Sequence, residues 1–257
     1  MEAYQLEICA GSYESACAAL KGGADRIELC AGLTEGGLTP SFGCLKAVLA
    51  LDGIRKHVLI RPRSGDFLYT PAELDIMVED IRLVREMGAD GLAVGALTAD
   101  GGIDLCALRR FKEAAGPLSV TFHRAFDVCA NPVLALEQLV DAGCDRILTS
   151  GTAGSAVAGI AILRRLVKQA AGRISIMPAC GVNPGNVAHI LKETGAVEIH
   201  ASARAVFPSG MAFRNPEAKM GLPGRDEYER QETSALQVRA LIQVLSGQNM
   251  TPSSPEK

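Results

Sequence analysis

With 257 residues, 48% of them apolar, the chain is long enough for one large α/β barrel or two modest domains around a real core. A formal net charge of −3 and only 4% aromatic residues argue against a nucleic-acid binder, which needs a basic, stacking-rich face. Apolar runs of only a few residues argue against a membrane span, no secretion signal is recognisable, and eight cysteines without a CxxC pair read as reduced cytosolic thiols.

The first strand is "QLEIC", 5–9. A helix end followed by a strand then recurs four times: "GGADRIELC" at 22–30, "MGADGLAVG" at 87–95, "AGCDRILTSG" at 142–151 and "TGAVEIHAS" at 194–202. Each copy puts Gly where a helix C-terminus favours a left-handed residue. The copies fall 65, 55 and 52 residues apart, about two strand–helix units each, so further strands are expected between them. "HVLIRPRSG" at 57–65, "LSVTFHRAF" at 118–126 and "ISIMPACGV" at 174–182 supply them.

Pro after a capping residue predicts helix starts at Thr39-Pro40, Thr70-Pro71, Asn131-Pro132 and Asn183-Pro184, with Thr70 and Glu73 spaced as a capping box. The helix over 71–87 sets Leu74, Met77, Val78, Ile81 and Val84 on one face. A last helix is expected near 226–246. Eight alternating strands and helices predict an α/β fold, a (β/α)8 TIM barrel of eight parallel strands, as a single domain over 1–247. No GxGxxG turn supports the open doubly wound alternative. The stretch 206–225 is expected to cover the barrel mouth or be mobile, and 248–257 to be a disordered polar tail.

Chemistry in such barrels gathers at the C-terminal strand ends. There the sequence places Glu7 and Cys9, Glu28 and Cys30, Arg61 and Arg63, His123, Thr149, and His200 with Ser202. Within a strand these share one parity, so they are expected to face the interior. A ring of buried charges must compensate itself, and one reading is a structural network pairing Glu7 and Glu28 with Arg61 and Arg63. The functional reading makes Glu7, Glu28, His123 and His200 candidate acids and bases. Arg61, Arg63, Arg124, Asp127, Thr149 and Ser202 are candidates for binding a carboxylate or phosphate, although Asp127 also reads as a loop residue. "SGT" after strand 6 and "CGVN" after strand 7 offer backbone N–H groups for an anion. His57 and His189 read as strand-start and helix residues.

Cys9 and Cys30 close adjacent parallel strands, within ligand reach of one another, and soft thiolates favour copper(I). Cys180 is a possible third thiol, while the other cysteines read as packing residues.

"LEIC", "GGADRIELC", "EGGLTPS", "RPRSGDF", "VTFHRAFD", "LTSG" and "EIHASAR…MAFRN" resemble, in order and over about residues 4 to 215, the copper homeostasis protein CutC family. The resemblance implies a (β/α)8 barrel and a cytoplasmic protein, in animals also nuclear. It further implies a homo-oligomer, here expected as a homodimer or homotetramer, with copper(I) held through cysteines, here Cys9 and Cys30. Glu7, Glu28, Arg61, Arg63, His123, Arg124, Asp127 and His200 coincide with the family's strand-end positions. Departures are Ser64, where Gly is frequent, and Cys180, where Gly or Ala is usual. Two readings stay open: a copper(I)-binding homeostasis protein, and a TIM-barrel enzyme acting on a small anionic substrate, with no nucleic-acid or membrane partner in either.

Overall fold

The structure, a computed structural model, describes residues 4–215, 217 and 226–247. Its strands are short because each crosses a barrel wall: β1 Gln5–Ala10, β2 Arg26–Leu29, β3 Arg55–Leu59, β4 Gly91–Val94, β5 Ser119–Phe122, β6 Arg146–Thr149, β7 Ser175–Pro178 and β8 Glu198–Ala201. All pair in parallel in the order β7-β6-β5-β4-β3-β2-β1-β8. With β7 lying beside β8 without a hydrogen-bonded ladder, the barrel is nearly closed. The surrounding helices are α1 Tyr13–Gly22, α2 Phe42–Leu49, α3 Pro71–Glu86, α4 Leu105–Ala115, α5 Pro132–Asp141, α6 Ile160–Ala170, α7 Val187–Thr194 and α8 Ala235–Leu245.

Strand parity divides the molecule into two interiors. Leu6, Ile8, Ile27, Leu29, Leu92, Val120, Ile147 and Ile199 point outward and form the fully buried layer under the helices. Onto it α3 lays Met77, Val78, Ile81 and Val84, while Leu74 is only half-buried. The alternate residues point inward, and there the barrel is filled largely by polar side chains.

Three helix boundaries differ from expectation. α2 starts at Phe42 under a Ser41 cap, because Thr39 is tied to Arg61 just past the end of β3: its hydroxyl accepts from the Arg61 N–H at 2.9 Å and its own N–H donates to the Arg61 carbonyl at 2.9 Å. α7 starts at Val187, since Asn183 Oδ1 accepts from Gly185 N–H and spends 184–186 on a turn. The expected helix over 226–246 begins only at Ala235: Glu229–Thr233 is strand β10, antiparallel to β9, Arg204–Pro208. Glu232 takes the hydroxyls of Ser12 and Ser15, and Thr233 N–H donates to Ser15 Oγ, which ties β10 to the start of α1. Residues 206–208 thus belong to a hairpin, whereas 218–225 and the 248–257 tail lie outside the described residues. Among the described residues no helix is long and apolar enough to cross a membrane.

Candidate functional site in the barrel mouth

The lower interior is a closed ion network. Arg26, fully buried, donates through Nε to Glu7 and through Nη2 to Glu198 Oε2 at 2.6 Å and Met177 Sδ at 3.3 Å. Arg146 reaches the same Glu198 oxygen at 3.0 Å and Ser119 Oγ at 2.8 Å. Two guanidiniums on two carboxylates make such burial tolerable. Burial alone would raise the Glu7 carboxyl, but Arg26 and His200 outweigh it and hold Glu7 well below the usual range. His57, with Nδ1 3.9 Å from Glu7, is pushed down to about 4, first by burial and then, against Glu7, by Arg26 and Arg146; it stays neutral.

Glu7 also supports the layer above. Its Oε1 lies 2.7 Å from His200 Nδ1, and His200 Nε2 lies 4.0 Å from Glu28 Oε2. One ligand atom each from Cys9, Glu28 and His200 falls within 4.8 Å of the others, and Cys9 Sγ is 3.5 Å from Cys30 Sγ. Burial works against a charged His200, yet its bonds to Cys9 and Glu7 and the negative charge of Glu28 and Glu7 hold it well above the ordinary value. Burial raises Glu28 to about 7 against the pull of His200. The Cys30 contact and burial push the Cys9 thiol up.

The β3–β5 side is built differently. Arg61 gives Nη1 to the carbonyls of Glu35 and Gly37, both at 2.9 Å, and Nη2 to Gly65 at 2.8 Å, with its guanidinium 5.0 Å from the Phe67 ring centre. It makes no ion pair among the described residues. His123 Nδ1 accepts from Ala125 N–H at 3.1 Å, which places the ring proton on Nε2; buried Nε2 has no partner among the described residues. Burial, then the Arg61 charge, depress His123 to about 3. Gly95 makes this position accessible: a Cβ there would lie 2.5 Å from His123 Cε1.

Between the two sides opens a cavity of about 310 Å³. Cys9, Glu28 and His200 line one part, Arg61, Phe67 and His123 another, Leu33, Leu59, Leu148 and Ala179 supply apolar wall, and Arg124, Ser202, Cys180 and Arg204 complete it. Most strand-end residues singled out from sequence therefore meet here. Glu7 and Cys30 sit immediately behind the lining.

Three of those residues are placed elsewhere. Arg63 follows the end of β3, where strand parity no longer applies, and turns to Glu73 Oε1 at 2.6 Å and to the carbonyls of Ser64, Asp66 and Leu68. Thr149 has the opposite parity to inward Arg146 and Leu148, so its hydroxyl donates to Asp127 outside the cavity. Asp127 accepts from Ser150 N–H at 2.9 Å, Thr152 N–H at 3.2 Å and Arg124 Nε at 2.7 Å. The "SGT" amides expected to receive an anion are thus partly engaged by a carboxylate of the chain itself. The pairing of Glu7 and Glu28 with Arg61 and Arg63 is replaced by pairing of Glu7 with Arg26. Cys180 lines the cavity in a left-handed conformation (φ 78°), with Sγ donating to the Gly154 carbonyl at 3.2 Å.

Sequence reasoning missed Arg26, Arg146, Glu198 and the inward position of His57. Counting back two residues from Glu28 and from His200, and four from Arg61, finds Arg26, Glu198 and His57 on the same face. His189 is exposed on α7.

The CutC family signature matches residues 4–205. A CutC family protein of Chromobacterium violaceum is 51% identical over 240 residues, covering 93% of this chain and 97% of its own. The human protein named copper homeostasis protein cutC homolog is 48% identical over 239 residues, covering 93% and 88%. A solved CutC structure from Streptococcus agalactiae superposes with a TM-score of 0.74 at 36% identity, over 77% of this chain and 98% of that one. Thiamine phosphate pyrophosphorylase from Pyrococcus furiosus, at 17% identity and TM-score 0.58 over 95% and 96% of the two chains, shares the fold alone. A signature spanning most of the chain, on relatives half identical along nearly all of it, establishes that the chain belongs to the CutC family.

Proposed function

We propose that this protein binds copper(I) on the β1–β2–β8 side of the barrel mouth, through Cys9, Cys30 and His200. One observation carries the reading: Cys9 Sγ stands 3.5 Å from Cys30 Sγ and also within 4.8 Å of ligand atoms of His200 and Glu28. Two sulfurs and an imidazole are a soft donor set, suited to a monovalent copper ion rather than to a hard cation. Glu7 supports the same reading, because a carboxylate on Nδ1 fixes the imidazole and leaves Nε2 to face the thiol and Glu28. The name of the human relative, a copper homeostasis protein homolog, agrees with it.

Binding would displace protons from the thiols and from His200, which makes Glu28 the adjacent acceptor. X-ray absorption at the copper edge tests the donor set. Sulfur scatterers that diminish in Cys9→Ser are the expected result; a first shell of nitrogen and oxygen alone would refute it.

A further inference from the structure

We infer that the β3–β5 side of the cavity is a binding site for a small organic monocarboxylate, held by Arg61 and by the Nε2–H of His123. The site is separate from the thiols and does not depend on the metal.

The first support is an uncompensated charge. Each guanidinium of the lower interior has a carboxylate: Arg26 has Glu7 and Glu198, and Arg146 has Glu198. Arg61 is buried too, at 6% exposure, yet among the described residues it meets no carboxylate, only backbone carbonyls, the Phe67 face and the Tyr69 hydroxyl. Three carbonyls fix the guanidinium rigidly without neutralising it, and a buried cation left in that state is unfavourable. A bound anion supplies the missing charge.

The second support is a donor without an acceptor. The hydrogen bond from Ala125 N–H assigns the His123 proton to Nε2, so this atom must donate, and no acceptor among the described residues meets it. Both residues line one cavity and pack on the same Phe67 ring, the guanidinium 5.0 Å and the imidazole 5.1 Å from its centre, which sets them side by side for one anion.

The charge balance selects a monoanion. Arg124 is already paired with Asp127, and Asp127 also takes the Ser150 and Thr152 amides that would otherwise cradle a phosphate. On the facing wall Glu28 stands 4.0 Å from His200 and offsets its charge, so that pair adds no net positive charge for a dianion. The apolar side chains of Leu33, Leu59 and Leu148 suit a short hydrocarbon body, and about 310 Å³ is at the small end of ligand sites.

Saturation-transfer NMR on the copper-free protein tests this with lactate, pyruvate and 2-oxoisovalerate, beside lactamide, pyruvamide and inorganic phosphate. Carboxylates are expected to bind, and the amides and phosphate not. Arg61→Gln should weaken binding about tenfold or more, the loss of a charge-assisted hydrogen bond. Should that variant fail to fold, His123→Phe, which keeps a ring beside Phe67, is expected to weaken binding in the same direction. The inference is overturned if no carboxylate gives transfer, if amides or phosphate bind as well, or if affinity is unchanged in His123→Phe.

Discussion

Glu7 and His200 are joined at 2.7 Å between Oε1 and Nδ1, while the other Glu7 oxygen accepts from Arg26, so a single carboxylate couples the ion network to the barrel mouth. Replacing it by Glu7→Gln keeps an acceptor oxygen but removes one of the negative charges that raise His200, so that burial, which lowers it, is opposed only by Cys9 and Glu28. The imidazole should titrate at lower pH, as followed by NMR. Breaking a buried pair and leaving Arg26 short of a partner should also cost about 3–5 kcal/mol of stability by denaturant titration.

Two glycines make room for two of the interior histidines, His57 and His123. A Cβ on Gly91 would lie 2.5 Å from His57 Nε2 and 2.7 Å from the Ser119 carbonyl, and one on Gly95 would lie 2.5 Å from His123 Cε1. Each Gly→Ala change should therefore destabilise the fold by about 1–3 kcal/mol, the range for overpacking. Gly95→Ala should in addition shift the His123 ring resonances, whereas Gly91→Ala should leave them in place.

Stability should fall as the solution becomes acidic. His57 and His123 titrate near 4 and near 3 in the folded chain, against an ordinary value of 6.5, first because they are buried. Below 6.5 the unfolded chain takes up protons at these two groups that the folded one does not, so their contribution to stability is full above that value and declines towards 4 and 3. Glu28 acts with the opposite sign, since burial raises it from 4.5 to about 7 and the folded carboxyl keeps a proton the unfolded one has lost. Between about pH 5 and 6 it offsets one histidine, leaving a net slope of at most about 1.4 kcal/mol per pH unit. Glu28→Gln should roughly double that slope in urea titrations over the same range.

Asp127 organises the loop after β6 by accepting from Thr149, Ser150, Thr152 and Arg124. Asp127→Ala orphans several donors at once and leaves Thr152 in a left-handed conformation (φ 58°) without its tether. Faster hydrogen exchange at the Ser150 and Thr152 amides is expected, with a stability loss of about 2–4 kcal/mol.

The barrel was legible because its glycine-terminated helices and alternating strand ends are local signals. Glu28, for instance, is placed inside by its parity with Cys30 alone. Parity also explains the errors: it holds only while the chain stays in the sheet, so it failed at Arg63, beyond β3, and Thr149 was assigned to the wrong phase of β6. Arg26 and Glu198 open their strands, where a charged residue reads as solvent-facing, and only their pairing across 172 residues of sequence in the nearly closed barrel makes their burial intelligible. The hairpin of β9 and β10 was invisible for a related reason, since Glu232 is fixed by Ser12 and Ser15 from the other end of the chain.

Whether Cys9 and Cys30 anchor a copper(I) ion is decided by titrating the reduced protein with copper(I) against a competing chelator. One ion per chain is expected for the native protein, with affinity lost in Cys9→Ser/Cys30→Ser while its thermal melting stays cooperative. Equal affinity in the two proteins would exclude these thiols as the copper ligands.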